Sequence, residues 1–256
     1  MRTVTATRYV LPMKQGGSVP ALVEADDLGL YIVKLRGAAQ GKKALVAELV
    51  AGEIGRALGL RVPELVLVDV DRALSQSEPD PEIAEPLEKS AGGNLGLDYL
   101  PGSVTFDPLA GPPADAATAS LVVLFDAFTM NVDRTPRNTN ILLWHRQHWL
   151  IDHGAALYVH HGWPEGHPLA SSADTFPEIA QHVLLPRTEE IDAAAAVLEA
   201  RLDAALLSRI VADLPDDWLG EAGQAPAEDR DLYRRWLEAR MTHLPALVAE
   251  VKRARA

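Results

Sequence analysis

The chain has 256 residues, 48% of them hydrophobic and 23% charged, with a formal net charge of -12 and no cysteine. That size and balance give one large domain or two modest lobes and exclude a mostly disordered chain. The missing cysteine excludes disulfide frameworks, thiolate metal sites and a thiol nucleophile, and the acidic balance argues against direct nucleic-acid binding.

No apolar run reaches the length of a membrane span, and the N-terminus lacks the apolar stretch of a signal peptide. A cytoplasmic protein without a membrane partner is expected. Residues 8–13 read as a short strand, and Lys14-Gln15-Gly16-Gly17-Ser18 as a turn. Residues 21–24 and 30–35 read as two strands joined by a turn over residues 25–29. A polar loop over residues 37–43 leads to a helix over residues 44–58. Its apolar positions Val46, Val50, Ile54 and Leu58 recur at helical spacing, and Gly59 stops it. Residues 65–70 form a β-rich run. Residues 75–93 read as an acidic surface loop or short helix, and residues 95–100 as a further strand. The proline-bearing residues 106–115 are the best boundary between two lobes, 1–105 and 106–256.

The second part reads as mainly helical. Asp115 caps a helix running to about Met130, with Leu121, Leu124, Phe125 and Phe128 as its buried stripe. Residues 141–144 and 148–151 form a hairpin around His145-Arg146-Gln147. Residues 158–186 carry Gly, Pro and His without a period. Thr188 is a candidate N-cap for alanine-rich helices to about Leu214, and a last helix covers about residues 229–254.

The informative segment is Asn131-Val132-Asp133-Arg134-Thr135-Pro136-Arg137-Asn138-Thr139-Asn140, followed by Ile151-Asp152-His153-Gly154. A hairpin brings its ends together, so Asn138 and Asp152 are expected to be close, with Asp133 a short loop away. Phosphoryl transfer from ATP needs one carboxylate to accept the hydroxyl proton. It also needs a carboxylate and an amide oxygen to hold magnesium. D-x-x-x-x-N, a hairpin and D-x-G supply these parts in the order kinases use them. A lone D-x-x-x-x-N is equally a polar turn; the hairpin and Asp-His-Gly make the combination specific. A kinase also needs a strand lysine with a helix carboxylate beside it. Tyr31-Ile32-Val33-Lys34-Leu35 offers the lysine, and the following helix offers Glu48 and Glu53. Gly16-Gly17-Ser18 fits a phosphate-covering loop.

Taken together, residues 31–36, Glu48 through Leu58-Gly59-Leu60-Arg61-Val62-Pro63, Leu97-Asp98-Tyr99-Leu100-Pro101-Gly102-Ser103, Asn131 to Asn140 and Asp152-His153-Gly154 resemble the HipA-like kinases. The Asn-x-Asp-Arg and Asp-His-Gly forms are also similar to phosphatidylinositol kinases. The resemblance implies an α+β, two-lobed protein-kinase-like fold, with a small β-rich N-lobe and a mainly helical C-lobe, that binds ATP and Mg²⁺. It implies that Lys34 holds phosphates and that Glu48, ten residues before Leu58-Gly59-Leu60 as in the family, is its partner. Asp133 would be the catalytic base, and Asn138 and Asp152 the metal ligands. Leu97, Asp98, Tyr99 and Leu100 would be the hinge against adenine, and Gly16, Gly17 and Ser18 the phosphate loop, with Ser18 a candidate for autophosphorylation.

The chain also departs from the family. The kinase strands start near residue 8, without the N-terminal subdomain that helps HipA toxins dock their DNA-binding partner, so a HipB-like partner is not expected. His153 replaces the usual Phe of Asp-Phe-Gly. The expected function is ATP-dependent transfer to a hydroxyl, foremost a protein Ser/Thr. The alternatives are a small-molecule or lipid kinase, or a nucleotide-binding pseudokinase acting through a partner. Walker, G-x-G-x-x-G and G-x-S-x-G motifs are absent from the sequence. His160, His161 and His167 near Glu165 match no H-E-x-x-H spacing and read as a solvated loop. Arg234, Arg235, Arg240, Lys252, Arg253 and Arg255 read as a modest basic face.

Overall fold

The structure, a computed structural model, describes residues 1–12, 20–37, 41–76, 81–165, 168–220 and 223–256. Gly16, Gly17, Ser18 and His167 lie outside the described residues.

Period-two alternation builds the N-terminal part. Strands β1 (Thr3–Pro12), β2 (Ala21–Ala25), β3 (Leu30–Lys34), β4 (Leu65–Val70) and β5 (Gly92–Asp98) close into a barrel in the order β1-β2-β3-β5-β4. β1 starts earlier than its sequence pattern suggests, because Val4 and Ala6 already alternate into the interior. It runs parallel to β4, and the other pairs are antiparallel. Tyr31, Val33, Val66 and Val68 fill the barrel. Leu65, Leu95 and Leu97 face the other way and join a second, larger core. Lys34 is out of phase with Tyr31 and Val33, and so leaves the barrel on that second face. Gly96 points inward, where a Cβ would lie 2.6 Å from Val68 Cγ2 and 3.0 Å from Val66 Cγ2. No larger residue fits there without displacing stiff β-branched side chains.

Helix α1 (Gly41–Ala57) begins three residues before its first apolar position and is buried along most of its length. Between β4 and β5 the described residues include the short helices α2 (Ala73–Gln76) and α3 (Pro81–Lys89). A second sheet joins β6 (Val104–Thr105), β7 (Ile141–Trp144) and β8 (Gln147–Leu150). His145 and Arg146, both at positive φ, make the two-residue turn of its hairpin.

The C-terminal part is helical. In α4 (Ala116–Thr129), Asp115 caps the start by accepting from Thr118 N at 2.7 Å, and Met130 ends it at φ 53°. Among the described residues that follow, 3₁₀ helices cover Tyr158–Glu165, Ala170–Ala173, Pro177–Gln181 and Leu185–Arg187. Helix α5 (Ile191–Arg201) starts later than Thr188, whose hydroxyl donates to Leu185 O instead. Asp203 caps a separate α6 (Ala204–Ala212). The single terminal helix read from the sequence is two, α7 (Pro226–Thr242) and α8 (Leu244–Arg255), broken at His243 ahead of Pro245. Arg240 is no part of a basic face. It is buried and donates to the carbonyls of Ala127, Phe128, Ser172 and Asp174. Among the described residues no helix is long and apolar enough to cross a membrane.

Several bonds join the barrel and α1 to the helical part. Leu150 N donates to Arg61 O at 2.8 Å, and Lys43 Nζ to His160 O at 2.8 Å. The fully buried Trp218 donates from Nε1 to Gly93 O at 3.2 Å, and its neighbour Asp217 pairs with Arg36 at 3.3 Å.

Candidate active site

The face of β3 that leaves the barrel meets α1 and the end of β8. Lys34 Nζ donates to Glu48 Oε2 at 2.5 Å and to Asp152 Oδ1. Lys34 is nearly buried, Glu48 wholly so, and the Asp152 side chain is 39% exposed. Burial alone would raise the Glu48 carboxyl; the Lys34 ammonium, with His153 beside it, instead holds it well below its ordinary value. Burial likewise works against the Lys34 ammonium, and Glu48 and Asp152 outweigh it, so the lysine stays charged. Glu53, the other helix carboxylate, pairs with Arg56 at 3.3 Å instead.

The residue after Asp152 supports the same group. His153 is fully buried, with Nδ1 3.4 Å from Glu48 Oε1 and its ring edge-on to Phe125 at 5.8 Å. Gly154 packs on α1, where a Cβ would lie 3.5 Å from Ala44 O and 3.6 Å from Glu48 Oε2. Asp152 itself sits at φ 56°, a left-handed backbone that turns its carboxylate out of the strand direction.

A second group forms on the loop after α4. Asp133 Oδ2 accepts from Asn138 Nδ2 at 2.7 Å and from Asn140 Nδ2 at 3.3 Å. Asp133 N donates to Asn131 Oδ1 at 3.2 Å. The hairpin joins the two groups: Ile151 N donates to Asn140 O at 3.1 Å, one residue before Asp152. Asn138 is exposed, and with its amide nitrogen turned to Asp133 its oxygen points away. That oxygen and the Asp152 carboxylate are hard donors of the kind Mg²⁺ takes alongside water and phosphate oxygens. Among the described residues no three His, Asp or Glu side chains cluster as a metal cage.

The segment Leu97, Asp98, Tyr99 and Leu100 lies at the far end of β5. Lys34 pairs in register with Leu95, and Tyr31 with Asp98, so the two ends are about 10 Å apart along the strand. Leu97 and Leu100 are buried and Asp98 is exposed. Tyr99 N donates to Leu30 O, and Ser103 N to Leu100 O.

Sequence reasoning gave no role to Asp126, Asn131, Arg134, Asn140 or His182, which surround the Asp133 loop. One signal was available. Asp126 is a lone carboxylate in the otherwise apolar Leu121-Val122-Val123-Leu124-Phe125 run of α4, and a buried charge requires a partner.

The HipA-like kinase family profile matches residues 7–242. No curated protein matches the chain. Among solved structures the chain is similar to the crystal structure of the Helicobacter pylori proinflammatory kinase CtkA. Identity is 13% and the TM-score 0.61, over 98% of this chain and 98% of that one. At that identity the likeness bears on the fold.

Proposed function

The chain belongs to the HipA-like kinase family, and on that premise we propose that it transfers the γ-phosphoryl group of Mg-ATP to a hydroxyl, foremost that of a protein serine or threonine. In this reading residues 1–105 form the nucleotide-holding lobe and residues 106–256 the lobe that carries the base and the metal ligands. The observation that carries it is the bridge from Lys34 to both Glu48 and Asp152, beside an Asp133 clamped by two amides. A scaffold that only bound nucleotide would need no such base, so this arrangement favours a catalyst over a pseudokinase.

Each residue has a task that follows from its surroundings. Lys34, charged and fixed by Glu48, donates to phosphate oxygens, while adenine lies toward residues 97–100. Asp152 and the Asn138 oxygen would hold Mg²⁺, which when bound would offset phosphate charge. Asp133 receives both amide bonds on Oδ2. Oδ1 is then the oxygen that takes the proton of the acceptor hydroxyl as the hydroxyl oxygen bonds to the γ-phosphorus and the bond from that phosphorus to the bridging oxygen breaks, with ADP as the leaving group. Gly16, Gly17 and Ser18 complete the site as the phosphate loop in this reading.

Asp133→Asn tests the base. It keeps the side chain's shape and its capacity to accept from Asn138 and Asn140, and removes its basicity. Phosphotransfer from labelled ATP should fall by about 10²–10⁴-fold, with Mg-ATP affinity and melting temperature nearly unchanged. Retained turnover would reject the assignment.

A further inference from the structure

The loop that carries Asp133 hangs from one buried carboxylate. Asp126, in the last turn of α4, is fully buried and accepts three bonds. Oδ1 accepts from Asn131 Nδ2 at 3.1 Å, and Oδ2 accepts from Arg134 Nε at 2.6 Å and His182 Nε2 at 2.8 Å. Arg134, also buried, donates onward from Nη1 to Asn140 O. One carboxylate thus fixes the residues two before and one after Asp133. Through Arg134 it also fixes the backbone of Asn140, whose side chain bonds the Asp133 carboxylate.

His182 brings a distant segment to the same point. Leu184 N donates to His182 Nδ1 at 3.0 Å, so the ring proton sits on Nε2 and faces Asp126. Only the neutral ring serves both bonds. Burial favours that form against the pull of Asp126 and keeps the imidazole below its ordinary value. Burial would raise the Asp126 carboxyl, yet Arg134 and His182 together hold it down at about 2. A further bond runs alongside, from Val183 N to Arg134 O at 3.0 Å. Residues 182–184 are therefore pinned to the Asp133 loop from two sides.

Stability alone is a poor reason for this cluster. A buried ion pair often does no better than a well-packed apolar pair of equal volume, and the residues on either side of Asp126 in α4, Leu121 to Phe125 and Ala127 to Phe128, are apolar. The remaining benefit is a single fixed geometry. We propose that Asp126 and His182 are positioning residues for phosphoryl transfer, locking residues 182–184 to the Asp133 loop so that the base is aimed before the acceptor arrives. This rests on the function proposed above.

The test uses the full chain with labelled Mg-ATP, reading transfer to itself or to water, ATP affinity by calorimetry, and melting temperature. His182→Leu removes the donor. Turnover should drop about 10²-fold, the cost of a misplaced catalytic group, while Mg-ATP affinity stays within about twofold. His182→Gln keeps an N–H near the Nε2 position, and turnover should recover to within about tenfold of the parent. A His182→Leu turnover equal to the parent's overturns the inference. So does a His182→Gln variant that falls as far as His182→Leu, since the ring and not its bond would then matter. If His182→Leu does not fold, His182→Gln decides: near-parent turnover is expected, and deep loss at an unchanged melting temperature overturns the inference. A parent chain that transfers no phosphoryl group overturns the proposed function and this inference together. An active parent with an unaffected His182→Leu overturns the inference alone.

Discussion

Lys34 and Glu48 are worth most where a lone charge would be worst, on the dry side of β3. The Glu48 carboxyl is held below its ordinary 4.5 in the folded chain, so the unfolded chain binds that proton more tightly. Its contribution to stability is complete above 4.5 and is lost as pH falls through the folded value. Lys34 is held above its ordinary 10.5, so its contribution is complete below 10.5 and is lost as pH rises through the folded value. The pair therefore supports the fold across the range between. Glu48→Gln leaves Lys34 with Asp152 alone and should cost roughly 3 kcal/mol at neutral pH. It should also flatten the fall of melting temperature in acid. Parallel acid limbs for variant and parent, followed by calorimetry, would remove Glu48 from this role.

At the scale of elements, the glycine inside β5 shows how tightly the barrel is drawn. Gly96→Ala would press on Val66, Val68 and Tyr31, and in a closed barrel none of these can swing away. A destabilisation of about 1–3 kcal/mol is expected from the denaturant midpoint. An unchanged midpoint would mean that the barrel gives more readily than its contacts suggest. Elements with strong local patterns were legible in the sequence. β4 follows its alternation, α1 its 3.6 period to the stop at Gly59, and the β7–β8 hairpin its apolar flanks. Closure of the barrel was not legible, because the parallel pairing of β1 with β4 joins residues more than sixty apart, and no local pattern in either strand names its partner. Neither was His182. It lies in extended backbone between two short 3₁₀ turns, a stretch with no apolar period, and its partner is a helix residue 56 positions away. The Lys34 and Asp133 groups could be proposed from spacing because each sits beside a patterned element. Asn140 could not be given a role, since its bond to Asp133 depends on a left-handed residue at φ 47° that no pattern announces.

On the scale of the whole molecule, the barrel interior is one apolar cluster, whereas β4 and β5 turn their other faces to a larger cluster shared with α1 and the helices. The two clusters thus have common walls. Trp218, itself part of the larger cluster, adds a tie at the edge of that wall, from the segment after α6 to the start of β5, and Asp217 pairs with Arg36 beside it. Trp218→Ala should cost about 3–5 kcal/mol through the cavity it opens. The tie also bears on cooperativity. Two parts joined by a flexible connection melt separately, each with its own enthalpy, whereas parts that share a core and are strapped at its edge lose their order together. Heating the parent chain in a calorimeter should therefore give one transition whose calorimetric and van't Hoff enthalpies agree. With Trp218 replaced, the barrel should begin to melt ahead of the helices, and the single peak should broaden into two. A single sharp peak in the variant would assign the coupling to the shared walls of β4 and β5 instead.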